Sequence, residues 1–258
     1  GDFEVIGVAR GEAKYASNNI DVTDFDSLKA FLEAAKPDFV VNCIGVLVGQ
    51  SSDDVCTAIQ INSYLPHFLS KQGKSIGFKL IHISTDCVFS GKDGQYRENS
   101  FKDGDDNYAR SKALGEVDND RDLTIRTSII GPELNKNGTG LLDWFLKQNA
   151  EIKGYTEAYW SGVTTLELAK ATDEFIKQNI TGLYQLCPME KISKFDLLKL
   201  FSSVWGKDIA VSPYESYKVD KSLVCTRDDF NYVVPGYEIM LNQLLAWMEQ
   251  HPAYYQHY

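Results

Sequence analysis

This chain predicts an α/β fold, a parallel doubly wound sheet followed by a smaller C-terminal domain. Three observations carry that prediction. From residue 3 to about residue 130, short apolar runs alternate with amphipathic stretches, the pattern of β-α-β units joined by right-handed crossovers. The run Ile81-His82-Ile83-Ser84-Thr85 stays strand-like until it ends in hydroxyls, as a buried strand does when its C-terminal tip opens on a crevice. Beyond Gly131-Pro132 the regular alternation stops and helix-start signals take over.

The elements follow in order. Phe3 to Ala9 reads as a strand, and Thr23 is placed to cap a helix running to Ala35, with Phe25, Leu28, Phe31 and Leu32 as its apolar stripe. Phe39 to Ile44 is the next strand. Val55 to Lys71 reads as a helix broken or entered near Pro66. A strand at 79–85, a helix at 107–118 and a strand at 123–130 complete the first part. Gly140 to Gln148 is a buried helix after a Gly/Asn loop, and Glu151 to Tyr155 is a short strand. Thr164-Thr165-Leu166-Glu167 has the spacing of a capping box and opens a helix to about Lys177. Gly182 to Cys187 is a strand, Ser193 caps a helix through Val204, and an amphipathic helix runs from about Tyr237 to Gln250. The aromatic tail Tyr254 to Tyr258 reads as packing.

The chemistry concentrates in residues 84–112. Tyr108 and Lys112 stand four apart and share a face on a helix. A free phenol ionises near pH ~10, and an ammonium beside it favours the phenolate. The Thr85 hydroxyl could then bond a substrate carbonyl oxygen beside the phenol. The spacing alone is common, since Tyr214/Lys218 and Tyr217/Lys221 share it. Only the pair at 108 follows a strand ending in Ser-Thr and precedes another strand-like run, Leu123 to Ile130.

On these residues, together with Asp21-Val22-Thr23-Asp24, Val40 to Gly45, Ile61-Asn62 and Arg126-Thr127-Ser128, the chain resembles the extended short-chain dehydrogenase/reductases. Within them it is similar to the dTDP-4-dehydrorhamnose reductase family, from about residue 4 to 132 and more loosely beyond. The resemblance implies a Rossmann-like NAD(P)-binding domain at 1–131 and 163–187, and a substrate-binding domain at 132–162 and 188–258. It implies a reductase of a nucleotide-activated 4-keto sugar. Thr85, Tyr108 and Lys112 would be catalytic, with Tyr108 giving the proton and Lys112 also holding the nicotinamide ribose. A nucleotide-sugar epimerase stays open as an alternative, as does a non-catalytic relative like the regulatory β-subunit of methionine adenosyltransferase.

The same resemblance assigns cofactor contacts to Asp21 and Val22, to Cys43, Ile44 and Gly45, and to Asn62. Arg10, just past the second-strand equivalent, suits a 2′-phosphate, so NADPH is expected, with NADH also open; an ordinary solvated arginine is an equal reading. Ser84, Asp86, Ile129, Lys221 and Arg227 are expected at the substrate, the last two as cations for its diphosphate. Two departures stand out: Cys87 and Ile129 occupy positions where the family usually has Tyr and Trp. Asp86-Cys87 also lacks the Asp-Glu pair of sugar dehydratases, so elimination loses its acid/base partner. No glycine-rich phosphate-binding turn is found. The sheet is therefore expected without its first strand, roughly 25 to 30 residues by the size of half a βαβ unit.

Composition narrows the remaining classes. With 258 residues, 43% of them hydrophobic, the chain can build a real core. A net charge of −10 argues against a nucleic-acid or anionic-membrane surface. Five dispersed cysteines give neither a disulfide framework nor zinc-site spacing, and the four histidines suggest no metal. No apolar run reaches the ~18 residues of a membrane span and Gly1 to Glu4 is no signal peptide, so the cytoplasm is the default. A homodimer is left open.

Overall fold

The computed structural model describes residues 3–11, 16–134 and 138–258, so part of the expected Gly/Asn loop lies outside the described residues. The first strand is shorter than expected. β1 (Val8–Ala9) pairs in parallel with an unexpected β2 (Asn18–Asn19). Helix α1 (Phe25–Ala35) is capped by Asp24, whose carboxylate accepts from the Ser27 amide. Thr23 cannot cap it because its amide and hydroxyl both donate to Asp21.

Strand β3 (Phe39–Asn42) leads through α2 (Val48–Asp53) into one long helical stretch. That stretch is α3 (Val55–Ala58), a π-helical turn at Ile59–Tyr64, and α4 (Leu65–Ile76). The expected break near Pro66 does not occur. Pro66 falls in the first turn of α4, where the wider π turn before it accommodates the missing amide. Strand β4 (Lys79–Ile83), helix α5 (Asn107–Gly115) and β5 (Leu123–Arg126) follow. The strand expected at 123–130 splits at Thr127-Ser128, and β6 (Ile129–Ile130) pairs elsewhere, with β8.

Helix α6 (Leu141–Leu146) precedes a strand longer than expected, β7 (Ile152–Trp160). Then come β8 (Val163–Thr164), α7 (Thr165–Lys177), β9 (Gly182–Gln185), β10 (Ile192–Ser193) and α8 (Lys194–Val204). Thr164 caps α7, but Glu167 bonds Tyr232 instead of returning to the cap, so only half of the capping box forms. Strand β11 (Val211–Asp220), not foreseen, and α9 (Tyr237–Gln250) complete the chain.

Four strands form the main sheet in the order β3-β4-β5-β9, all parallel. β1 and β2 form a sheet of their own, and Val41 on the free side of β3 is 43% exposed. One face of the main sheet packs Leu80 against Leu28, Leu65 and Leu69 from α1 and α4. The other packs Ile81, Leu123 and Ile125 against Phe175 of α7. Helices on both faces explain why these strands read as nearly continuous apolar runs. A second sheet, β10-β7-β11, carries β10 antiparallel and β11 parallel to β7. Its core joins Trp160 and Ile152 to Phe145, Phe201 and Leu244. The expected division at 187/188 is crossed by Phe230 and Met240, which pack under the main sheet with Phe175. Among the described residues no helix is long and apolar enough to cross a membrane.

Candidate active site

The parallel strands all end on one side, and the chemistry-bearing residues gather there. β4 runs out at Ile83 into Ser84, Thr85 and a 3₁₀ turn at Asp86–Val88. The Thr85 hydroxyl oxygen accepts from the Cys87 amide at 3.1 Å and its proton points to Asp86 at 3.2 Å. Helix α5 is aimed at this turn by its cap, Asp106, which accepts from the Ala109 amide. One helical turn then sets Tyr108 and Lys112 on the same face, and the phenol comes close enough to Thr85 and Cys87 to be influenced by both. The structure thus brings Thr85, Tyr108 and Lys112 together.

The Lys112 ammonium, buried in a chain of polar groups, donates to the Ile83 carbonyl at 2.7 Å and lies 3.5 Å from Nε2 of His82. Nδ1 of His82 is in turn 3.2 Å from Nδ2 of Asn42, its register partner on β3. Burial, then the Lys112 charge, holds His82 well below the usual imidazole range, so it stays neutral. His82 and Asn42 are positioning residues that sequence reasoning did not assign. The signal available was their place at the ends of adjacent strands.

Burial also pulls Lys112 down to about 8, against the opposing charge of Glu116. The Tyr108 phenol is pushed up to about 12 by burial, with Cys87 adding to the rise and Thr85 opposing it. The expected phenolate is therefore not favoured here, because burial of the phenol dominates. At neutral pH Tyr108 is a protonated donor.

Asn62, expected at the cofactor, instead clamps the loop after β3. It accepts from the Val46 amide at 2.8 Å, and its amide donates to the Val46 carbonyl and Ser111 Oγ, each at 3.0 Å. Asn62 is fully buried in the π turn where α5 crosses. A Cβ on Gly115 would sit 1.8 Å from the Asn62 carbonyl oxygen, so only glycine permits that crossing. The clamp leaves Ile44 and Leu47 exposed in the loop after β3, with the Ile44 amide tied to Asn42 at 3.1 Å. Cys43 stands at the same strand end, within reach of the Lys112 charge. Gly45 would meet only Asn62 Oδ1, at 3.5 Å, if it carried a Cβ.

The remaining expected cofactor residues lie on the β1–β2 side. Arg10 is exposed, and its charge helps keep Asp21 below the usual carboxylate range, after the bonds from Thr23. Val22 instead packs partly into the core of α1 and α4.

The Ser84 hydroxyl, expected at the substrate, faces a carboxylate of this chain. It donates to Glu116 Oε1 at 2.8 Å, inside a buried network in which Arg126 grips Glu116 through Nε at 2.9 Å and Nη2 at 2.7 Å. Arg227 also lies away from the expected place. Its guanidinium is consumed by Asp229 and by the carbonyls of Thr181 and Leu183, and it stacks on Tyr184. Ile129 sits half exposed on β6, while its neighbour Ser128 lines the substrate-side cavity.

That cavity, of about 910 Å³, begins at Asp86 and Cys87 and extends over the second sheet. Lys221 lines it as expected, and so do residues that sequence reasoning missed: Tyr155, Tyr159, Trp160 and Lys194. Tyr214 and Tyr217 of β11 face Tyr155 there, with ring centroids 5.5 and 5.0 Å away. The density of aromatic residues in 155–160 and 214–217 was the readable signal. Burial raises both Asp86 and Cys87, the latter to about 11, so Cys87 remains a thiol.

Comparison with known proteins places this geometry. A family model described as RmlD substrate binding domain matches residues 3–223. Spore coat polysaccharide biosynthesis protein SpsK of Bacillus subtilis is 29% identical over 161 residues, 59% of this chain and 56% of that protein. A dTDP-4-dehydrorhamnose reductase of Burkholderia thailandensis is 29% identical over 175 residues, 66% of this chain and 56% of that one. Methionine adenosyltransferase 2 subunit beta of Xenopus tropicalis is 22% identical over 213 residues, 76% and 63% respectively. The chain thus spans little more than half the length of the first two. Among solved structures, a hypothetical dTDP-4-dehydrorhamnose reductase of Sulfolobus tokodaii superposes with TM-score 0.77 at 25% identity, covering 91% of this chain and 90% of its own. A dTDP-4-dehydrorhamnose reductase of Bacillus anthracis, solved in complex with NADP, gives 0.79 at 19% identity, with 91% of each chain covered.

Proposed function

The chain belongs to the RmlD substrate binding domain family, and from that premise we propose that it serves an NADPH-dependent reductase of a nucleotide-activated 4-keto sugar. The observation that carries the reading is the assembled set Thr85, Tyr108 and Lys112 next to Asp86 and Cys87, which line a 910 Å³ cavity. Its relatives include proteins named dTDP-4-dehydrorhamnose reductase, one of similar fold solved with NADP.

The residues present fit the nicotinamide half of such a cofactor. The Lys112 ammonium has three N–H donors and, among the described residues, two hydrogen-bond partners, the Ile83 carbonyl and His82, which leaves one donor for a ribose hydroxyl. Ile44 and Leu47 offer exposed apolar surface in the loop after β3. Arg10 and Asp21 would meet the adenosine end, and Arg10 favours a 2′-phosphate. When bound, the reduced nicotinamide supplies the hydride for the carbonyl carbon.

Tyr108, protonated at neutral pH, donates its hydroxyl proton to the carbonyl oxygen as charge develops there. Thr85 lies beside the phenol and is placed to orient the same carbonyl. Lys112, held by Ile83 and His82, supplies the positive field and the proton that restores the phenol. Asp86, Cys87 and Ser128 form the wall against which the sugar lies. The intact triad favours catalysis over the regulatory role suggested by the adenosyltransferase subunit.

The assay is direct. Incubation with NADPH and dTDP-4-dehydrorhamnose should consume reduced nicotinamide and form dTDP-rhamnose in equal amounts. Absence of NADPH oxidation with every 4-keto nucleotide sugar tried would overturn the reading.

A further inference from the structure

The floor of the cavity holds a cation that the mechanism above does not use. Lys194 opens α8, and its side chain lines the cavity with Asp86 and Cys87, close enough to feel the Asp86 charge. Its ammonium lies 4.9 Å from the centre of the Trp160 ring. Burial of the amino group pulls it down to about 8. Three lysines in this region have carboxylate partners, Lys147 with Asp143, Lys191 with Asp220, and Lys218 with Glu157, while Lys153 lies over the Tyr214 ring. Lys194 has neither an ion pair nor a hydrogen bond among the described residues. Asp86 accepts from Thr85, and its charge is shared between Lys194 and Lys221. Two ammoniums therefore face one carboxylate, and the floor keeps a net positive charge.

A partly desolvated ammonium without its own counter-ion is relieved by an anionic ligand group. Its place decides which one. Asp86 and Cys87 directly follow Thr85, so Lys194 stands at the reacting end of the cavity, whereas the tyrosines at 155, 214 and 217 form an aromatic cluster suited to the nucleotide. We infer that Lys194 selects nucleotide sugars whose ring carries a carboxylate, donating to that group from the cavity floor. The inference rests on the cavity being a nucleotide-sugar site.

Titration calorimetry with UDP-glucuronate, UDP-glucose and UDP tests it. The carboxylate sugar should bind about 10- to 100-fold more tightly than UDP-glucose, the usual worth of a charge-assisted hydrogen bond. Lys194→Met should erase that difference while UDP still binds, and Lys194→Arg should restore most of it. Equal affinity of the wild type for the two sugars overturns the inference and leaves the nucleotide-sugar reading standing. A Lys194→Met variant that weakens UDP as much as either sugar makes Lys194 a diphosphate ligand and also overturns it. Failure of all three to bind removes the nucleotide-sugar reading and this inference with it.

Discussion

The crevice at the end of the main sheet and the cavity over the second sheet hold their polar groups in opposite ways. In the crevice nearly every group is fixed by another: His82 between Asn42 and Lys112, Asn62 across Val46 and Ser111, Ser84 on Glu116. In the cavity Lys194 and Lys221 carry no bonded carboxylate, and the tyrosines touch mainly one another. A reaction centre gains from donors already in place when charge develops, since no reorganisation is then needed. A binding surface gains from groups whose bonds are still to be made, because the ligand completes them. The contrast separates the part that sets the chemistry from the part that chooses the ligand.

The largest test of the crevice is Tyr108→Phe, which keeps the ring and removes only the donor. Turnover of the 4-keto sugar should fall by about 10² to 10⁴, with KM little changed. Unchanged turnover would take Tyr108 out of the mechanism.

A pH profile probes the same centre less severely. Lys112 carries its charge below about pH 8 and loses it above. The phenol, at about 12, stays protonated throughout that range. Log kcat/KM should therefore fall with a slope of about −1 on the alkaline side of the lysine pKa. A profile flat to pH 10 would show that the ammonium is not needed.

Next in size is the clamp. Asn62→Ala strands the Val46 amide and leaves the Val46 carbonyl only its bond from the Ser51 hydroxyl, so stability should drop by about 2 kcal/mol in denaturant melts. NADPH affinity should weaken as well, because the 43–47 loop is released. An unaffected midpoint would mean that the loop holds itself.

The smallest expected effect sharpens the boundary between the two regions. Arg227→Ala removes donors from the Thr181 and Leu183 carbonyls and should cost about 1–2 kcal/mol of stability. KM for the nucleotide sugar should stay as in the wild type, since the guanidinium is turned away from the cavity. A raised KM at unchanged stability would return Arg227 to the diphosphate.

The sequence by itself determined the main sheet and the triad. β3, β4, β5 and β9 are short apolar runs whose burial on both faces is written in their composition, and Tyr108 and Lys112 are linked by four residues of one helix. Such local periodicities survive folding because each element forms from neighbours in the chain. Tertiary structure decided what depends on distant partners. It moved the α1 cap from Thr23 to Asp24 by offering Asp21 as a competing acceptor, and it turned Pro66 from a break into part of a helix through the π turn. It drew Arg227 to the Thr181 and Leu183 carbonyls at the start of β9 and brought β11 beside β7, two pairings with no local signature. It also reversed the direction of the Tyr108 pKa, because desolvation depends on everything packed around the phenol, whereas the sequence displays only the lysine one turn away.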